Sequence, residues 1–414
     1  MTDARFKPFQ PTPSPAPESD YRAERPCPIC GSTDSRSVLH MSDFQFFSDA
    51  PDLCKRADIH HVQCRQCFAL FMNPCYTETG FRVLFAEAGM TYGSSGMRQS
   101  EQMSWLGERG LLRDGFTYLD VGCASGSFIA ALPAEVNAVG VDIDADAVAR
   151  AKERLGGKTR RFVTADFEKL TWNEPVDVIT MFHVLEHLPK PITVLERLRA
   201  LASTGTRLVV EVPLLEKGKT NDINGFLTPS HLTHFSRTSL TMCLHRSGWR
   251  LVDATDQPDY NGYRVLAEPA EPNATDRPCQ DDIATLYDYL ADWYANLHRC
   301  AQRLVQQLDA EYLVIRGGGM HTEFIYQLLP LFHMEHSGTK ARGYAILDGD
   351  PKKQGRHWRG IPILSPACIA DFDWGSTQML ISSYGHQEAM IEEALAAGVP
   401  RDRIIALYDF IRRY

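Results

Sequence analysis

The chain has no run of about 18 consecutive apolar residues, so no segment is long enough to cross a bilayer as a helix. Its first residues lack the basic-then-apolar order of a secretion signal. A positive excess is also missing: 43 Lys and Arg stand against 52 Asp and Glu, for a formal net charge of -9. Gripping a phosphate backbone calls for a basic face, so neither nucleic acid nor membrane is the expected partner. A soluble, cytoplasmic protein is expected, as a monomer or small homo-oligomer. In that setting the 11 cysteines, an odd number, read as reduced thiols or metal ligands rather than as a disulfide framework. What is present is globular: 44% hydrophobic and 23% charged residues in 414. At roughly 150 residues per domain that length indicates two or three domains. A local basic cluster, Lys352, Lys353, Arg356 and Arg359, reads as solvated surface.

From Tyr118 to Phe128 an apolar strand runs into a glycine-spaced turn and then a helix, the arrangement that builds a nucleotide pocket. Gly122 and Gly126, without Cβ atoms, let backbone approach a ligand closely, and Asp120 puts a carboxylate at the strand's end. A second apolar strand, Ala138 to Asp142, ends in an acid about twenty residues on, where a ribose hydroxyl pair is read. A third, Phe162 to Asp166, ends the same way. The plain alternative is that each Asp caps the next helix and the glycines only shape a turn; three acids at three successive strand ends favour the pocket. The order, with D-x-G-x-x-x-G in place of G-x-G-x-x-G, resembles the class I S-adenosylmethionine (SAM) methyltransferases. That resemblance implies SAM as cofactor, held by Asp120, Gly122, Gly126, Asp142, Asp166 and His183.

Around this core the chain divides. Residues 1 to 25, with Pro8, Pro11, Pro13, Pro15 and Pro17 and few large apolar groups, are expected to be a disordered or draped leader. Residues 26 to 90 carry Cys27-x-x-Cys30 and, after 33 intervening residues, Cys64-x-x-Cys67. Two such knuckles present four thiolates to one tetrahedral Zn2+, a closed shell and therefore a structural metal. Cys54, His60, His61 and Cys75 are alternative ligands. Residues 91 to 268 alternate strand-like and helical runs, with strands expected at 117–121, 137–142, 161–164, 176–181, 207–212, 250–253 and 263–267. The first five form a parallel doubly wound sheet; the last two lack a helix-length connection, and the methyltransferase resemblance implies that they form an antiparallel hairpin at its edge. Residues 269 to 310 read as a connector, an amphipathic helix of about 28 residues with an apolar stripe of Ile283, Leu286, Tyr287, Leu290, Trp293, Tyr294, Leu297, Leu304 and Leu308. From 311 to 414 a smaller α/β unit follows: strand 312–316, Gly317-Gly-Gly319, helix, then Gly343 to Asp348. That turn is read either as a phosphate site or as a tight turn only.

Zinc knuckles, a SAM sheet and a glycine-rich α/β tail, in that order, resemble the sugar C-methyltransferases that act on nucleotide-linked deoxysugars. The fold class is then α/β, a class I methyltransferase Rossmann-like sheet with an N-terminal zinc module and a C-terminal smaller α/β domain. Local echoes are Tyr92-Gly-Ser-Ser95, the His183-x-x-x-His187 run, His231-x-x-His234 and Asn261-Gly-Tyr-Arg264. The chain departs from that family at Ser230, where a Glu precedes the histidine, and at His183, where an Asn is usual. The resemblance implies a nucleotide-diphosphate sugar as small-molecule substrate, methylated at a carbon beside a ketone. Such an acceptor must become an enolate, so a base near neutrality is needed. His231 is the first candidate base and His187 the second; Tyr92 is a candidate donor and Glu186 a candidate orienting carboxylate. His234 reads more plainly as a packed core histidine. An O- or N-methyltransferase of a small metabolite would keep every cofactor motif. A zinc-containing RNA methyltransferase is disfavoured by the charge, and a silent scaffold by the intact acids and glycines.

Overall fold

The computed structural model describes residues 4–9, 21–46, 55–85, 96–218, 221–256, 261–276, 280–332 and 341–411. Tyr92, Ser94 and Ser95 lie outside the described residues, as do Cys54 and most of the proline-rich leader. The N-terminal elements are β1 (Arg22–Ala23), β2 (Ser35–Gln45), β3 (Arg56–Cys64), β4 (Leu70–Met72), β5 (Cys75–Tyr76), α1 (Glu78–Leu84) and α2 (Gly96–Glu108). Where the leader is described it is not free. Phe6 is buried, stacked on Tyr312 at 4.5 Å between centroids, and β1 pairs with β5.

The central elements follow as β6 (Thr117–Val121), α3 (Ser127–Ala131), β7 (Asn137–Asp142), α4 (Ala145–Leu155), β8 (Arg160–Thr164), β9 (Val178–Phe182), α5 (Pro191–Leu201), β10 (Arg207–Pro213), β11 (Thr233–His234), α6 (Arg237–Arg246), β12 (Trp249–Asp256) and β13 (Gly262–Pro269). Seven strands make one sheet in the order β12-β13-β10-β9-β6-β7-β8. β10 through β8 run parallel, and β13 enters antiparallel between β10 and β12. Alternating residues of β6 feed both faces: Leu119 and Val121 join one core, Tyr118 the other. Such double burial explains why these strands read as continuous apolar runs. Local signals set the helix starts. Asp144 accepts from the amides of Asp146 and Ala147 to cap α4, and Ser236 closes a capping box with Ser239 on α6.

β11 leaves that sheet and adds to the N-terminal one, whose order is β11-β4-β3-β2. Thr233 pairs with Phe71 and His234 with Leu70. The N-terminal sheet therefore completes itself with a strand from far along the chain.

The last elements are α7 (Gln280–Gln307), β14 (Tyr312–Arg316), α8 (Met320–Leu328), β15 (Gly343–Leu347), β16 (His357–Trp358), β17 (Ile361–Leu364), β18 (Thr377–Ile381), α9 (Gln387–Ala396) and β19 (Ile404–Ala406). The helix α7 buries Leu286, Tyr289, Trp293, Cys300 and Leu304. Its Trp293 donates Nε1 to Ile223 O at 2.7 Å, while Arg303 donates to Ala406 O at 3.2 Å. Two residues of the expected apolar stripe face outward: Tyr287 is 50% and Tyr294 54% exposed. Tyr289 takes the inner position. The C-terminal sheet has the order β16-β17-β15-β14-β18-β19, parallel apart from β16. Arg359 is not solvated surface. It is buried, donating to Glu323 Oε1 at 2.7 Å and to Asp43 O at 2.8 Å, which ties the C-terminal sheet to β2.

Candidate functional site

At the carboxyl end of β6 the order reverses, with β7 on one side and β9 on the other; crevices for ligands open at such switch points. Gly122 and Gly126 each sit at φ 79°. A Cβ on Gly122 would lie 2.2 Å from Val184 Cγ2, so the turn after β6 and the loop after β9 can close together only through glycine. Asp120 is buried and accepts a hydrogen bond from Thr180 Oγ1 at 2.7 Å. Burial pushes its carboxyl up to about 7. Asp142 Oδ2 accepts from Ala124 N at 2.8 Å, and Oδ1 from Asp144 N at 2.9 Å. Burial raises this carboxyl also. Asp166 accepts from Glu168 N at 2.9 Å, which caps the short 3-10 turn Phe167–Lys169, and it pairs with Lys169 Nζ at 3.0 Å. Two of the three acids thus shape local backbone as well as standing at strand ends. The same device recurs in the C-terminal sheet, where Asp348 Oδ2 accepts from Gly318 N at 2.6 Å.

The loops after β9 and before β11 bring the histidines together. His183 takes φ 56°, a conformation that bulky residues adopt only under constraint. Its Nε2 lies 3.1 Å from Glu211 Oε1 and its Nδ1 3.3 Å from Glu186 Oε1. Burial opposes its charge, but the two carboxylates outweigh it and hold the imidazole up to about 9. His183 is therefore a half-buried imidazolium between two acids. Arg264 adds Nε to Glu211 Oε2 at 2.6 Å. Glu211 was not singled out from the sequence; its neighbours in β10 are apolar, and an acid inside such a strand is the signal that could have found it.

His187 places Nδ1 2.7 Å from Ser230 O, and its ring meets that of His231 at 4.9 Å between centroids. His231 lies 6.0 Å from His234, whose Nε2 is 3.2 Å from His61 Nδ1. A line of four imidazoles thus runs from the crevice into the N-terminal sheet. Burial, then the neighbouring His187, presses His231 down to about 3. His61 is likewise pushed down to about 3 by burial, and His234 well below its ordinary value by burial and His61. Glu186 stands behind the line, 1% exposed. Burial works to raise its carboxyl, but His183 and His187 hold it down to about 2.

The four cysteines converge. Cys27 Sγ and Cys67 Sγ are 3.5 Å apart, as are Cys30 Sγ and Cys64 Sγ, and all four sulfurs fall within 4.8 Å of one another. A tetrahedral zinc with Zn–S of about 2.3 Å sets its sulfurs roughly 3.8 Å apart, so the donor set and spacing are compatible with zinc. Amides of Gln66 and Cys67 point at Cys64 Sγ, at 3.4 and 3.5 Å. His61 belongs to the histidine line, and Cys75 is a separate buried thiol. Cys27, Cys64 and Cys67 share one apolar core with Leu185 and the strands β9 and β10.

Residues 98–254 match a methyltransferase domain family. The ubiquinone biosynthesis O-methyltransferase of Paraburkholderia xenovorans (strain LB400) is 28% identical over 162 residues, 33% of this chain and 69% of that protein. The protein of the same name from Methylococcus capsulatus is 28% identical over 143 residues, 29% of this chain and 60% of that one. Among solved structures, magnesium protoporphyrin IX methyltransferase from Synechocystis PCC 6803 with bound S-adenosylhomocysteine is similar at 21% identity and a TM-score of 0.37, over 47% of this chain and 100% of that chain. A SAM-dependent methyltransferase from Aquifex aeolicus is similar at 19% and 0.35, over 42% and 89%. No helix among the described residues is long and apolar enough to cross a membrane. Residues 98–254 are a class I SAM-dependent methyltransferase domain, and the chain that carries them is a methyltransferase enzyme.

Proposed function

We propose that the enzyme transfers a methyl group from SAM to a carbon beside a ketone of a nucleotide-linked deoxysugar. In this reading Asp120, Asp142, Asp166 and the Gly122–Gly126 turn hold the cofactor, and the four cysteines hold a structural Zn2+. SAM supplies an electrophilic methyl on a sulfonium. The chain's own residues must position an acceptor in line with it and draw off the acceptor's proton. The observation that carries the proposal is the His187–His231 pair on the cofactor side of the sheet, backed by the buried carboxylate of Glu186. Ser230 O can only accept, so His187 Nδ1 carries a proton and Nε2 keeps the lone pair. His187 thereby precedes His231 as proton acceptor, because burial has made His231 a weak base. His183, held charged between two acids, acts on the position of Glu186 rather than on the acceptor.

An oxygen acceptor is the second reading, favoured by the relatives named as ubiquinone biosynthesis O-methyltransferases. Incubation with SAM and a panel of nucleotide-linked 4-ketosugars, with NMR location of the new methyl, tests the choice. A C-methyl product and loss of exchange at the carbon beside the ketone in His187→Ala are expected. Methylation of hydroxyl acceptors alone, with every ketosugar untouched, would replace the first reading by the second.

A further inference from the structure

We propose that Glu186, His187 and His231 form a second cation site, apart from the four-cysteine cluster, which takes a divalent transition cation such as Zn2+ and presents it to an oxygen of the acceptor. The inference rests on the functional reading above, since it concerns the same pocket, and it names what activates the acceptor there.

Three observations converge. One ligand atom from each of the three side chains lies within 4.8 Å of the others. Both carboxylate oxygens of Glu186 are buried with no hydrogen-bond partner; Oε1 has the charged His183 at Nδ1 3.3 Å away, and His187 Nε2 lies 3.8 Å from it. Oε1 is shared with His183, but Oε2, in a side chain only 1% exposed, has no compensating neighbour among the described residues, and a cation supplies that interaction. The third observation is the contact of His187 Nδ1 with Ser230 O at 2.7 Å. It fixes the tautomer so that Nε2 points its lone pair toward Glu186 and His231, as an outer carbonyl does for a metal-bound imidazole.

The donor set selects the metal. One carboxylate with two imidazoles is the three-ligand pattern of catalytic zinc sites, which keep a further position open. Magnesium and calcium favour all-oxygen shells and fit it poorly. Glu186 is buried while His187 and His231 are half-exposed, so the open position faces the crevice. An acceptor oxygen bound there loses electron density to the cation, which acidifies its hydroxyl or the carbon beside its carbonyl. The proton passes to solvent water. The acceptor's freed electron pair then takes the methyl carbon, and the pair of the broken S–C bond stays on sulfur, giving S-adenosylhomocysteine. With the cation bound, His187 Nε2 is a ligand, and the role of proton acceptor given to it above belongs to the metal-free enzyme alone.

Cobalt titration of the full chain, after chelator treatment, reads the two sites separately. Thiolate-to-cobalt charge-transfer bands report the cysteine cluster. A second equivalent with weak visible bands and no charge-transfer component is expected from the new site. Glu186→Gln and His231→Ala should each lower uptake from two equivalents to one while the thiolate bands persist, which also reports that the variants are folded. Uptake of a single thiolate-bound equivalent by the unaltered protein, or two equivalents in both variants, would overturn the proposal. Calorimetry with S-adenosylhomocysteine separates this from the functional reading: absence of binding to the unaltered protein strikes the methyl-transfer pocket and leaves the cobalt count standing.

Discussion

At the residue scale the carboxyl of Asp120 sets an acid–base linkage. Burial holds it up to about 7 against an ordinary value of 3.8. Between those values the folded chain keeps a proton that the unfolded chain releases, so this residue's contribution to stability is present below the lower value and is lost as pH rises through the upper one. Asp120→Asn should therefore flatten the dependence of the thermal midpoint on pH across that window, measured without ligand. A cationic cofactor reverses the preference, since positive charge nearby favours the ionised carboxylate. Binding of SAM at about pH 6 should release a proton, visible as a buffer-dependent calorimetric enthalpy. The same substitution removes a charge-assisted interaction of about 1.5 to 3 kcal/mol, roughly a ten- to hundredfold loss of S-adenosylhomocysteine affinity. Unchanged affinity would remove Asp120 from the cofactor site.

At the scale of elements, α7 and the knuckles carry the sharpest contrasts. Trp293 is 2% exposed and donates to Ile223 O, whereas Tyr294 beside it is 54% exposed. Trp293→Ala should cost about 3 to 5 kcal/mol by urea unfolding, and Tyr294→Ala within about 0.5 kcal/mol. Helical spacing placed both on one stripe; the 100° turn per residue leaves the edges of a stripe to whatever packs there, and here the loop at Ile223 to Phe226 takes Trp293 and Tyr289. The knuckles act at a distance through β11. Because His234 pairs with Leu70 of β4, loosening the four-sulfur cluster frees the segment that carries His231. Cys67→Ser should therefore depress turnover strongly while cofactor binding at β6 to β8 is retained, as read by comparing methyl transfer with calorimetry. Equal loss of both would point to collapse of the whole sheet instead.

At the scale of the molecule, the N-terminal sheet shares one apolar core with the methyltransferase sheet and another with the C-terminal sheet, and polar contacts cross between them as well. Arg359, 3% exposed, joins Glu323 on α8 to Asp43 on β2. Arg359→Met leaves the buried Glu323 with the neutral donors Trp358 Nε1 and Gln327 Nε2, each at 2.9 Å, in place of the guanidinium; a loss of about 3 to 5 kcal/mol is expected in urea unfolding. The amino-acid sequence by itself determined the parallel strands, the glycine turn, the acids at the strand ends and the paired cysteines, because each depends on neighbours within a few residues or on a fixed local spacing. It could not assign Arg359 to an interior, since a run of basic residues in a loop carries no sign of the acid that will meet it. Nor could it place Glu211 against His183, or build one line from His61, His187, His231 and His234. Those groups are far apart in the chain, and only the docking of β11 onto β4 and the closure of the loop after β9 over Gly122 bring them within reach of one another.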